Sequence, residues 1–113
     1  MTDMIEQLLT QIVAKFNERA KTDPQLGEEL QGFERTVLIR LEGGQEFSFR
    51  ISEGQARDFQ KRPISNPEIV IETDSETIEK LMKKELRIMK AIATRRLRID
   101  ARLEDMLRMR KFF

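Results

Sequence analysis

The chain contains no cysteine, no histidine, no tryptophan and no tyrosine. Without cysteine there are no disulfides, no zinc–thiolate sites and no thiol nucleophile. Without histidine there is no Ser-His-Asp triad and no HExxH metal helix. Without Trp or Tyr the chain lacks the preferred platforms for stacking nucleic-acid bases, and its seven Phe residues fall mostly on apolar faces. No apolar run approaches the roughly 20 residues of a membrane span. The N-terminus lacks the basic stretch and long apolar core of a signal peptide. The only Gly-Gly pair sits between two strand patterns, so it is a turn rather than a phosphate loop. A single domain over residues 1–113, cytoplasmic, is the expectation for a chain of this length.

What is present is charge and periodicity. Charged residues make up 36% of the chain and apolar ones 39%. The apolar residues recur in regular spacings, which argues for a folded core. Net charge is only +1, but it is unevenly placed. Residues 83–113 hold 11 basic and 4 acidic side chains, net +7, whereas residues 1–82 are net −6. Such asymmetry fits an anionic partner.

Met4 to Ala20 has the helical spacing, with Ile5, Leu8, Leu9, Ile12, Val13 and Phe16 in one stripe. Asp3 and Glu6 fit a capping box. Pro24 breaks this helix, and "PQLGEELQG" holds a short second one ending near Gly32. From Phe33 the period becomes two. Phe33, Val37, Ile39 and Leu41 share one face, as do Phe47, Phe49 and Ile51. An odd-length loop keeps both sets on the same side, and the expected register opposes Leu41 to Phe47 and Ile39 to Phe49. "GQARDFQKR" is a polar, exposed strand suited to a sheet edge. "EIVIET" is a further strand, with Ile69 and Ile71 on one face.

Thr73 with Glu76, or Ser75 alone, can cap the next helix, whose buried stripe is Ile78, Leu81 and Met82. A second short helix points Ile88, Met89, Ile92 and Ala93 inward. A lone strand follows from Leu97 to Ala101 and can return parallel to a neighbour after the helical crossover. The closing helix places Leu103, Met106, Leu107 and Arg110 at helical spacing. The class is α+β, a mainly antiparallel sheet with helices packed on one face.

"PEIVIETD", "SETIEKLMKKEL", "RIMKAIATR", "RRLRIDA" and "RLEDMLRMRKFF" together resemble the C-terminal half of the sterol carrier protein 2 family. The upstream hairpin and N-terminal helix fit the same pattern. The resemblance implies a five-stranded mixed sheet and an apolar tunnel between sheet and helices. It implies a non-catalytic carrier of a lipid-like ligand such as a fatty acid, fatty acyl-coenzyme A, sterol or isoprenoid. The chain departs from the family at three glycines. Arg95 precedes the lone strand, Ala101 follows it, and no glycine stands near Lys84. The "KFF" ending lacks the peroxisomal tripeptide of some relatives.

Phe47 and Phe49 can form the sheet wall of such a tunnel. Ile78, Leu81, Met82, Ile88, Met89 and Ile92 can face them, and Met106, Met109, Phe112 and Phe113 can close an end. The same residues also serve as an ordinary filled core. Arg95, Arg96 and Arg98 are candidates for an anionic headgroup or membrane surface, and positive charge at a helix end is favourable in itself. Asp74, Glu76 and Glu79 lie close in sequence, but capping accounts for them, and Asp58 has no evident catalytic partner. No enzyme activity, cofactor, metal or nucleic-acid partner is expected. Docking of an exposed apolar C-terminal end, Met109, Phe112 and Phe113, on a second copy as a homodimer or on a membrane is the alternative.

Overall fold

The alternation of apolar residues from Val37 onward produces a sheet whose inner face is apolar. In the computed structural model, which describes residues 4–112, that sheet has five strands. They are β1 (Arg35–Leu41), β2 (Glu46–Ser52), β3 (Gln55–Gln60), β4 (Ile69–Thr73) and β5 (Arg98–Asp100), in the order β3-β2-β1-β4-β5. The helices are α1 (Met4–Thr22), α2 (Pro24–Glu29), α3 (Ser75–Met82), α4 (Ile88–Ala93) and α5 (Leu103–Met109), which runs on into a 3-10 turn, Arg110–Phe112. The expected cap at Asp3 lies outside the described residues.

β1 and β4 are parallel, and every other neighbouring pair is antiparallel. The parallel strand is therefore β4 rather than the late strand. The crossover through α3 and α4 brings β5 back onto the edge of β4 in the opposite direction, with Ile71 facing Ile99.

The β1–β2 loop is odd, as the alternation requires, but the register differs by two residues from the expected one. Ile39 faces Phe47 and Val37 faces Phe49. The tight loop explains the shift. Gly43 and Gly44 both have φ near +100°, and Leu41 and Gln45 close over them through a 2.8 Å backbone bond. Either register keeps both apolar sets on the same face. Local glycine geometry selects between them.

β3 contains a bulge. Asp58 takes φ +58°, and the pairing with β2 shifts there by one residue. The extra residue lets Ala56 and Phe59, three apart, both face inward. Phe59 stacks on Phe47 with centroids 5.9 Å apart.

Two helices, α2 and α3, have acidic N-caps. Asp74 accepts from the Thr77 N–H at 2.8 Å, so it, and not Thr73 or Ser75, caps α3. Thr73 instead ends β4 and donates its hydroxyl to the Arg96 carbonyl. Asp23 caps α2 in the same manner. Gly27 lets α2 approach α1, since a Cβ there would lie 3.3 Å from the Ala20 carbonyl.

The core lies between helices and sheet as two apolar clusters. One gathers Leu26, Leu30, Phe33, Val37, Ile51, Ile69, Met109 and Phe112. The other gathers Ile5, Leu9, Ile39, Leu41, Phe47 and Ile78. The opposite sheet face buries Leu38 and Ser48 at its middle and is charged toward one end. Along one row across β2, β1, β4 and β5, Glu46, Arg40, Glu72 and Arg98 alternate in sign.

Candidate functional site

Phe49 and Ile71 stand between the two clusters. Both are half-buried, and both pack against each cluster. Phe47 and Ile78 belong wholly to the α1 side. Leu81, Met82, Ile88 and Ile92 are half-buried and belong to neither cluster. The candidate walls are thus split. Phe47 and Ile78 lie on one side of the seam, Met109 and Phe112 on the other, with Phe49 between them.

Two expected inward residues point away from the core. Met89 is 48% exposed, and Ala93 is exposed too. The buried residue of α4 is Ala91, flanked by half-buried Ile88 and Ile92. On so short a helix a small side chain makes the close approach, and the larger Met89 falls on the opposite side.

The closing helix is turned relative to expectation. Leu103, Met106 and Leu107 are exposed, and the buried residues are Asp105 and Met109. Met106 therefore closes no end of the site. Phe112 does lie inside, edge-on to Phe33 at 5.5 Å and to Phe16 at 6.3 Å. Phe113 lies outside the described residues. Arginines on two sides accommodate the turn. Arg35 donates two hydrogen bonds to Asp105, at 2.8 and 3.0 Å. Arg108 donates to the carbonyls of Glu29 and Gln31, and both guanidinium groups lie over the Phe33 ring. A buried carboxylate must be paired, and Arg35 meets Asp105 on the same side of α5 that sets Met109 and Phe112 in the apolar cluster. The hydrogen bonds from Arg35 hold the Asp105 carboxyl below the usual carboxylate range, against the opposing effect of burial.

The three candidate arginines differ. Arg98 lies on the charged sheet face, 3.8 Å from Glu72. Arg95 and Arg96 are exposed at the end of α4. The missing family glycines leave a backbone trace. Lys84 and Arg95 have φ of +60° and +62°, whereas Ala101 takes no such conformation.

Two surface concavities are lined by none of the candidate wall residues. One, of about 460 Å³, lies among Ala20, Gly27, Leu30, Glu34 and Gly54. The other, of about 230 Å³, lies beside Arg35, Arg50 and Glu68. Among the described residues no helix is long and apolar enough to cross a membrane, and no acidic cluster could hold a metal ion.

The sequence model of the SCP-2 sterol transfer family matches residues 14–113. The chain belongs to this family. The family binds and transfers lipids and sterols, and its domains are generally non-catalytic. No curated protein sequence matches the chain. Among solved structures, UbiJ, an SCP2 ubiquinone synthesis protein, is similar with a TM-score of 0.65 at 12% identity, over 91% of this chain and 90% of that one. Palmitated SCP2L2 from Aedes aegypti has a TM-score of 0.61 at 13% identity, over 94% and 92%. The inverting sec-alkylsulfatase Pisa1 from Pseudomonas sp. has a TM-score of 0.56 at 13% identity. That match covers 75% of this chain but only 13% of the sulfatase, so the chain spans a small part of the enzyme. At these identities the likeness shows the SCP2 fold.

Proposed function

We propose that the chain binds one hydrophobic ligand, a fatty acid, fatty acyl-coenzyme A, sterol or isoprenoid, and carries it chemically unchanged. The ligand's apolar body lies against the inner sheet face, along the seam marked by Phe49 and Ile71. The observation that carries this reading is the division of the core into two clusters that share only half-buried side chains. Such a seam opens through rotamer changes of Phe49, Leu81 and Met82 without dismantling either cluster, and Met adapts readily to a variable guest. The palmitated relative supports an acyl chain.

The test is native mass spectrometry of freshly purified protein, then solvent extraction and titration with a fluorescent fatty acid. Adducts of lipid mass and saturable uptake are expected. A clean apo mass with no uptake would overturn the carrier reading. The exposed face of α5, Leu103, Met106 and Leu107, favours a second reading as a docking or dimerisation module. Light scattering of the Leu103→Ser, Leu107→Ser double variant tests it. A wild-type dimer that becomes monomeric supports this reading, and an unchanged mass rejects it.

A further inference from the structure

α4 and the turns that bracket it carry Lys83, Lys84, Arg87, Lys90, Arg95 and Arg96, all exposed. Glu85 is the one acidic residue among positions 83–96. Several cations elsewhere are matched, with Arg40 facing Glu46, Arg57 facing Glu53, Lys80 facing Glu76 and Arg98 facing Glu72. Among the described residues, none of the six on α4 and its turns forms an ion pair.

Two of these cations occupy strained backbone. Lys84 and Arg95 bracket α4 at φ +60° and +62°, where glycine alone is free of steric cost. Side chains at such positions are retained at the expense of stability, and strain of this kind gathers at functional segments. Between them Met89 projects into solvent, 48% exposed. It stands about 200° round the helix from Ala91, which is fully buried.

We infer that this face of α4 docks the protein on an anionic lipid surface. The inference rests on the lipid-carrier reading for its biological sense. A dense, unpaired positive field complements anionic headgroups. Met89 gives a shallow apolar foothold, and the lysine stems can lie along the interface with their ammonium groups in the headgroup layer. One exposed methionine is far short of the roughly 800 Å² per partner that a stable protein interface buries. A nucleic acid would find no Tyr or Trp to stack on. Ile88 and Ile92 lie on the inner side of the same helix. Docking through α4 therefore sets the bilayer against a helix whose inner side carries two of the candidate wall residues.

The test is vesicle flotation of the full chain with phosphatidylcholine alone and with added phosphatidylglycerol. Wild type floats with the anionic vesicles, and its binding falls steeply with salt. The variant Lys83→Gln, Lys84→Gln, Arg87→Gln, Lys90→Gln loses at least about 100-fold in vesicle affinity while keeping fatty-acid uptake from solution. Met89→Ser weakens binding and leaves the salt dependence unchanged. Wild type that ignores anionic vesicles, a quadruple variant that floats equally well, or tighter binding to single-stranded DNA than to vesicles overturns the inference. Flotation without any fatty-acid uptake supports docking and overturns only the carrier reading.

Discussion

Arg35 and Asp105 are joined by two parallel hydrogen bonds although 70 residues separate them in the chain. The pair ties the first residue of β1 to the middle of α5. Asp105 is 4% exposed, so its charge is accepted in the interior only because the guanidinium fork meets it squarely. The pair lies on the face of α5 that enters the core with Met109 and Phe112.

Asp105→Asn should lower stability by about 2 kcal/mol, since it leaves Arg35 short of its charged partner. The sign of the pH effect follows from the depressed Asp105 pKa. A carboxyl held lower in the folded than in the unfolded chain adds stability above its unfolded pKa and loses it as pH falls through the folded one. The urea midpoint of wild type should drop on acidification below about pH 4, and that part of the drop should vanish in Asp105→Asn. An identical pH profile in the variant would show that the pair is not the source.

The two sides of α5 should respond differently. Phe112→Ala or Met109→Ala should cost about 3 kcal/mol, because both side chains lie in the cluster with Leu26 and Phe33. Leu107→Ser should change stability by less than about 0.5 kcal/mol. Thermal denaturation of the three variants decides this. Removing residues 110–113 deletes Phe112, so such a truncation should lower the melting temperature as well as weaken ligand retention or dimerisation.

Lys84→Gly and Arg95→Gly should each raise stability by about 0.5–1 kcal/mol by relieving left-handed strain. Both should also reduce affinity for anionic vesicles. A loss of stability in either would mean that its side chain supports the fold.

Met82→Asp should abolish uptake of a fluorescent fatty acid with the far-ultraviolet circular dichroism preserved, because Met82 is half-buried outside both clusters. Phe49→Asp should abolish uptake and lower stability too, since it packs against both. Full uptake by a folded Met82→Asp protein would move the ligand elsewhere.

Periodicity alone carried most of the architecture. The dry faces of β1, β2 and β4 could be read from alternation, and so could the odd loop between β1 and β2. Its register could not, because loops differing by two residues present the same faces. The inward turn of Phe59 was hidden by the bulge at Asp58, where one extra residue reverses the parity of the strand. α5 offers two stripes at helical spacing, Leu103–Met106–Leu107 and Asp105–Met109–Phe112. The first is the more apolar. The second is buried, with Met109 and Phe112 in the apolar cluster and Asp105 paired by Arg35, a partner distant in sequence. Of the candidate wall, Phe47, Phe49, Ile78, Met109 and Phe112 do lie against the core. Met89 and Met106 do not, since apolarity does not tell which side of a short helix meets its neighbour. The absent glycines at Lys84 and Arg95 left the backbone geometry in place with charged side chains upon it.

The cluster around Phe33 draws residues from α2, β1, β2, β4, α5 and the final 3-10 turn. Phe16 of α1 meets Phe112 edge-on, and Arg19 donates to the Phe112 carbonyl. No contiguous stretch of the chain can close this cluster by itself. Its formation therefore depends on long-range closure rather than on hairpins that assemble one after another. Cleavage in any of the connecting loops should leave fragments that stay unfolded apart and regain structure only when mixed. Amide exchange in α1 and in the turn at Phe112 should accordingly slow down and speed up together.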